Sequence, residues 1–469
     1  MPVKKEIKSV PVPPCPVDGP GSAAFSNKGL IASLILAPAL VTLLIGGSLL
    51  WFPLLFAVLA LPTFAAYNMA TIYYLSSVSC SSLPNKPAPS YNTFKASRLQ
   101  KLYGGDSKKK IPMETWFEAY FDGELDANHD ILHMIETRYD WASFEFTLSQ
   151  VKFFLTQWIP ETLWHSKIQD QDQVREHYDR GDDFYEAFLG PMMVYTSGLM
   201  TDPAVHESLE TLQTNKLNRV VDLVQIRGDS ETPKEMLDIG CGWGTLAVHA
   251  AASSNARVTG VTLGLNQHAW AMNRAKDAGV EDRVQILCKD YRDIPRDEKR
   301  YDAITCLEMA EHVGVLRFQT FIQQVKSMLK DDGLFFLQIA GLRRAWQYED
   351  LTWGLFMAKY VFPGADASPP LNWVIEQLER AGFEVAVSET IGVHYSATIY
   401  RWYKNWMSNK EIIIAKYGQS WFRKWEVFLA WSTVVARQGS ATCYQIVSHK
   451  NSNSFDRTRF TSPVSKKTI

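Results

Sequence analysis

Hydrophobic and polar positions along the 469-residue chain follow three different rhythms. From Leu30 to Leu75 there is no charged residue at all. About 20 apolar residues cross a bilayer, so this run is too long for one span and long enough for two. Gly46, Gly47 and Pro53 offer a break. The pattern therefore predicts a transmembrane hairpin over 29–76, with helices at about 29–48 and 54–75. A cleaved signal peptide is disfavoured, because the run far exceeds a signal h-region and starts late. Lys4, Lys5, Lys8 and Lys28 precede it, and Lys86, Lys95, Arg98, Lys101 and Lys108 to Lys110 follow it. The positive-inside rule then puts both flanks in the cytosol. The expectation is an integral protein of the endoplasmic reticulum membrane with a cytosolic catalytic part.

The second rhythm is aromatic. Over 77–165 a polar linker leads to Trp116, Phe117, Tyr120 and Phe121, then Phe153, Phe154 and Trp158, at helical spacing. Packing against the catalytic domain and a surface lying at the bilayer are equal readings of this segment. Residues 1–28 and 451–469 are rich in Pro, Lys, Ser and Thr and are expected to be disordered tails.

The third rhythm begins at residue 166 and runs to 450. Short apolar runs at Glu235–Ile239, Arg257–Val261, Val284–Cys288, Tyr301–Cys306, Gly333–Ile339 and Phe383–Val387 read as strands. Helical patterns such as Ala269–Ala278 and Arg317–Leu329 fall between them. This alternation predicts an α/β domain with a parallel sheet covered on both faces and ligands at the carboxyl ends of the strands.

Composition narrows the chemistry. With 48 basic and 50 acidic residues, nothing suggests a nucleic-acid partner. Six scattered cysteines with no C-x-x-C pair argue against disulfides and a cysteine-held zinc. His129 and His133 lie four apart, as metal ligands on a helix do, but no second pair of that type supports them, so no metal is expected. The sequence sets no oligomeric state.

The run LDIGCGWGTL, Leu237–Leu246, carries most of the functional signal. It reads as a strand ending at Asp238, a turn with Gly240, Gly242 and Gly244, and a helix. Glycines there let the backbone turn sharply and approach a ligand. The D-x-G-x-G-x-G spacing resembles the first motif of S-adenosylmethionine-dependent methyltransferases, and no G-x-x-x-x-G-K-[ST] phosphate loop occurs. The second strand is followed by Thr262 and Gln267 rather than by an acid. That pattern is similar to the cyclopropane-fatty-acid-synthase group of methyltransferases, and further motifs follow in the same order. They are EHYDRGDDFYEAFLGPMMVYTSG (Glu176–Gly198), KDYRD around Asp290, EMAEHVG (Glu308–Gly314) and GVHYSATIYRW (Gly392–Trp402). The resemblance covers most of 170–450. It implies a Rossmann-like class I methyltransferase domain with helical lid or insertions, and S-adenosylmethionine as methyl donor.

The resemblance also implies residue roles. Tyr195 and Thr196 hold the amino-acid end of the cofactor, Thr262 and Gln267 contact the ribose and methionine end, and Asp290 lies near the adenine edge. Glu311 is the candidate base and Tyr395 its partner tyrosine. Ser197 and, approximately, Leu337 stand where bacterial members have the cysteine and histidine of a bicarbonate cluster, which argues against bicarbonate dependence. The apolar hairpin, EMAEHVG and YVFPGADAS (Tyr360–Ser368) resemble the fungal sphingolipid C9-methyltransferases. Those act on the Δ8-unsaturated sphingoid base of a membrane ceramide or glucosylceramide. Methyl attack on the alkene and proton loss then give a methyl-branched double bond. A lipid cyclopropane synthase, a sterol C-methyltransferase and a membrane-tethered non-catalytic binder are the competing readings.

Overall fold

Strands rich in Val, Ile, Leu and Phe assemble one seven-stranded sheet, and the helices between them cover both of its faces. The computed structural model describes residues 27–48, 50–75, 87–105, 107, 109–158, 181–227, 232–295, 299–344 and 348–461. The expected tail before residue 27, the start of the linker (76–86), Glu176–Arg180 of the opening motif and 462–469 of the expected C-terminal tail lie outside the described residues.

The chain divides into two compact units. One contains Val151–Arg343 and Gly354–Ile469, and the other contains Pro13–Gln150 and Arg344–Trp353. In the first unit the strands are β1 (Glu235–Ile239), β2 (Arg257–Thr262), β3 (Val284–Cys288), β4 (Tyr301–Leu307), β5 (Leu329–Leu342), β6 (Phe383–Thr390) and β7 (Ala441–Lys450). Their order is β6-β7-β5-β4-β1-β2-β3. Strands β1 to β5 pair in parallel, while β7 enters antiparallel between β5 and β6. The order reverses beside β1, so a crevice opens at the carboxyl ends of β1 and β4, where such folds bind ligands.

Strand side chains alternate between faces. Leu237, Ile304, Phe335 and Ile446 join the core under α5 (Phe318–Met328) and α6 (Leu371–Arg380), once α1 (Asp182–Leu189), α2 (Leu209–Leu223), α3 (Thr245–Ser253) and α4 (Leu265–Asp277) are set in chain order. Their neighbours Met236, Ala303, Phe336 and Val447 join the opposite core with α2, α3 and α4. Alanines 247, 250, 251, 271 and 275 keep α3 and α4 close to the sheet. A long pair, α7 (Gly392–Ser408) and α8 (Gln419–Gln438), packs Trp402, Trp406 and Trp425 in an almost solvent-free aromatic core with Phe184 and Phe188, and Trp431 against Phe356.

Two expectations are corrected. No helix among the described residues is long and apolar enough to cross a membrane. The uncharged run is split into Asn27–Leu44 and Trp51–Leu75, which carry Pro38 and Pro62. The transmembrane hairpin and the integral endoplasmic-reticulum placement are therefore overturned. The stretch 451–461 is ordered rather than a free tail. Phe455 stacks on His449 at 3.6 Å, and Arg457 pairs with Glu384 on β6 at 2.7 Å.

In the second unit, Trp116, Phe117, Tyr120 and Phe121 are buried. A buried ion pair ties Arg138 to Glu349, the latter also accepting from Tyr139.

Candidate active site

The glycine turn after β1 is held from three sides. Gly240 and Cys241 both donate to the Val261 carbonyl at 2.9 Å, which pins the turn to β2. Gly240 has φ +77°, and a Cβ there would lie 2.6 Å from the Met309 side chain. Gly244 starts α3 in the left-handed region and leaves only 2.5 Å between such a Cβ and that of Ala271. Gly242 differs, since a Cβ there meets nothing within 4 Å. Protein packing thus demands glycine at 240 and 244, while position 242 faces open pocket.

Around that turn one pocket is lined by Tyr195, Thr196, Asp238, Gly240, Gly242, Thr262, Gln267 and Asp290, all expected from sequence. Asp238 is buried, accepts from the Thr305 hydroxyl at 2.8 Å, and has its carboxyl pushed up to about 6 by burial. The Thr262 hydroxyl, at the end of β2, donates to Gln267 Oε1 at 2.5 Å, so this neutral pair is pre-organised. Asp290 is gripped by the Arg292 guanidinium at 2.8 and 2.7 Å. Gly244 stands behind the wall as the helix cap.

Sequence reasoning missed Lys216. Its Nζ donates to the Thr196 hydroxyl at 2.9 Å inside the pocket, and burial pushes its ammonium down to about 8 against the pull of Glu308 and Asp238. It sits mid-helix on α2, where a lysine ordinarily marks a solvated face, so only its burial reveals it.

The acidic end of the pocket centres on Glu308, the residue after β4, not on Glu311. Glu308 has φ +52°, which non-glycine residues rarely adopt. Its carboxylate accepts from the Ser197 backbone N–H at 3.0 Å, Gln338 Nε2 at 2.6 Å and the Tyr395 hydroxyl at 2.6 Å. The Cys443 thiol on β7 lies 3.6 Å away. Leu337 itself is buried in the core, and its neighbour Gln338 is the residue that faces the site.

Glu311 lies outside the pocket wall, in the short turn Ala310–His312. One carboxyl oxygen accepts from the Ala340 N–H at 2.6 Å and the other has no hydrogen-bond partner. Burial, then repulsion by Glu308, pushes this carboxyl up to about 8. Burial and Glu308 likewise push the Tyr395 phenol far up, so it stays a hydrogen-bond donor. Of the two predicted catalytic side chains, Tyr395 contacts Glu308 directly, while Glu311 is linked to it only by charge repulsion.

Trp243 lines the pocket and donates to Asp182 at 2.8 Å, whereas Trp402, Trp406, Trp425 and Trp431 are packing residues. His129 and His133 contact edge to face at 5.3 Å, and among the described residues no group of three or more possible metal ligands gathers.

The pocket fits S-adenosylmethionine. The open face at Gly242 admits a close ligand, Thr262 and Gln267 offer a hydroxyl and an amide, and Lys216 offers a cation. The family model described as Mycolic acid cyclopropane synthetase matches residues 165–446. The chain is 51% identical to the sphingolipid C9-methyltransferase of Komagataella phaffii, over 97% of this chain and 95% of that protein. It is 52% identical to sphingolipid C9-methyltransferase 2 of Gibberella zeae, over 95% of this chain and 84% of that one. Among solved structures, the cyclopropane synthase MmaA2 of Mycobacterium tuberculosis superposes with a TM-score of 0.54 at 24% identity, covering 60% of this chain and 98% of that one. A mycolic acid cyclopropane synthase complexed with SAH and CTAB gives 0.55 at 22%, with the same coverage. These two support the fold alone. With a glycine-turn pocket suited to the methyl donor and relatives of this identity along nearly its whole length, the chain belongs to the S-adenosylmethionine-dependent sphingolipid C9-methyltransferases.

Proposed function

We propose that this protein transfers the methyl group of S-adenosylmethionine to C9 of the Δ8-unsaturated sphingoid base of ceramide or glucosylceramide. The observation that carries this reading is the convergence of the glycine turn and an acidic, largely dry cluster on one pocket. An alkene methylation needs a donor site and a proton acceptor side by side. Because the substrate is a bilayer lipid, the protein meets it at a membrane surface.

When bound, S-adenosylmethionine supplies an electrophilic sulfonium methyl. Gly240, Gly242 and Gly244 shape its cradle, Thr262 and Gln267 serve the ribose, and Asp290 serves the adenine edge. Tyr195, Thr196 and Lys216 meet the amino-acid end. An isolated alkene is a weak nucleophile, so the pocket must align it and exclude water. Attack through C9 leaves a cation at C8, which the ring face of Trp243 stabilises by roughly 0.5–2 kcal/mol. Proton loss from C9 restores the double bond. Glu311 and Tyr395 serve this proton-handling end together with Glu308.

The test is to incubate the purified protein with S-adenosylmethionine and a Δ8-unsaturated ceramide or glucosylceramide. The expected product carries one added CH₂ and, by NMR, a methyl on a trisubstituted C8=C9 bond. A cyclopropane product has the same mass, so NMR rather than mass decides. Cyclopropane resonances, or methylation only of a sterol offered in parallel, overturn the reading.

A further inference from the structure

We propose that Glu308 is the catalytic base that takes the C9 proton. This deepens the function proposed above and rests on it. Four observations meet on this one side chain. Glu308 lines the pocket together with the glycine turn, whereas Glu311 does not. Its carboxyl group is addressed by three N–H and O–H donors, Ser197 N–H, Gln338 Nε2 and the Tyr395 hydroxyl, which together fix its orientation toward the pocket. Gln338 is itself fixed, because Gln445 Nε2 donates to its Oε1 at 2.8 Å. Its amide is therefore held with the NH₂ toward Glu308. The backbone of Glu308 is held at φ +52°, and its N–H donates to the Gln338 carbonyl at 2.7 Å. A strained conformation maintained by surrounding structure belongs to a residue whose placement matters.

Glu311 suits a different part. It is buried and already carries its proton at neutral pH, so it stands behind Glu308 as a neutral carboxyl. Tyr395 is a positioning residue that orients the base through its hydroxyl.

The step balances as follows. The C8=C9 electron pair forms the C9–CH₃ bond as the S–CH₃ bond breaks, and the sulfonium leaves as a neutral thioether. C8 becomes cationic. The C9–H bond then breaks, its electron pair rebuilds C8=C9, and the proton passes to the Glu308 carboxylate, which ends as a neutral acid.

Glu308→Gly tests this cleanly, because glycine adopts φ near +52° freely and the removed side chain leaves a space lined by the same donors. Three quantities are read in the full-length protein: cofactor affinity by calorimetry, turnover, and product structure by NMR. Expected are cofactor affinity within a few-fold of wild type, turnover down roughly 10²-fold, and recovery of at least about 10-fold on adding formate. Glu308→Gln should lose turnover similarly, without formate rescue because the amide fills the space. Glu311→Gln should lose less than Glu308→Gly. Near-normal turnover in Glu308→Gly, a loss of cofactor affinity as large as the loss of turnover, or no formate rescue overturns the assignment. If wild type forms no methylated sphingoid base, the underlying function fails. If wild type methylates and Glu308→Gly matches it, only the base assignment fails.

Discussion

Gly240 and Gly242 looked equivalent as letters in a motif, and the structure separates them. A Val side chain at 240 collides with Met309, while one at 242 projects into open pocket. Gly240→Val is expected to lower both thermal stability and S-adenosylmethionine affinity. Gly242→Val should weaken binding at least about 10-fold with a smaller loss of Tm, and calorimetry beside thermal unfolding distinguishes them. Lys216→Met should weaken cofactor binding about 10- to 100-fold, the worth of a hydrogen bond to a charged group. Since its ammonium is pushed down to about 8, wild-type affinity should fall as pH rises beyond that value. An affinity that stays flat across that range would assign Lys216 a structural part. Glu311 makes a stability prediction with a definite sign. Its folded value of about 8 lies above the ordinary 4.5, so the folded state binds the extra proton between them. Stability from this group is complete below about 4.5 and is lost as pH rises through about 8. Glu311→Gln should therefore gain Tm over wild type as pH increases from about 5 to 9, and a constant difference would refute the shift.

At the scale of elements, the six expected strands all appear because their apolar runs and turn residues agree locally. The seventh, Ala441–Lys450, was not legible. Nine of its ten positions are buried, yet Gln445, Ser448, His449 and Lys450 break the apolar pattern that marks a strand. Two of its polar side chains find their partners far along the chain: Gln445 Nε2 donates to Gln338 Oε1 at 2.8 Å, and Lys450 Nζ to Asp331 at 3.0 Å. The same strand brings Cys443 to Glu308, so the missed element is also part of why Glu308 was not singled out. In the second unit, Arg138 and Glu349 join segments more than 200 residues apart in sequence. Glu349→Ala leaves the guanidinium buried without its carboxylate and should destabilise that unit by about 3–5 kcal/mol. Denaturant unfolding that shows less than about 1 kcal/mol would mean the site hydrates freely.

Across the whole molecule, every residue proposed to act lies in the unit that contains Val151–Arg343 and Gly354–Ile469. Removing residues 1–75 should leave S-adenosylmethionine affinity within a few-fold of the full chain, as calorimetry can check. A large loss would show that the leading helices shape the pocket. Those helices expose Ile31, Leu40, Trp51 and Leu61, the kind of side chain that composition alone reads as a span. Counting uncharged residues does not register where a helix ends or where a proline falls, and the run here is interrupted between Leu44 and Trp51 and carries a proline inside each helix.

What the amino-acid order determined by itself was local: the strand–turn–helix at Asp238 to Leu246, the alternation behind the five parallel strands β1 to β5 (the expected all-parallel sheet is mixed, since β7 enters antiparallel), the neutral Thr262–Gln267 pair, and the presence of two carboxylates in EMAEHVG. Each depends on residues within a few positions of one another. Tertiary structure decided which carboxylate faces the pocket, that a mid-helix lysine is buried beside Thr196, and that β7 supplies the back of the acidic cluster. Those outcomes depend on groups brought together from distant parts of the chain, where burial and hydrogen-bond partners set charge and role, and no local pattern encodes them.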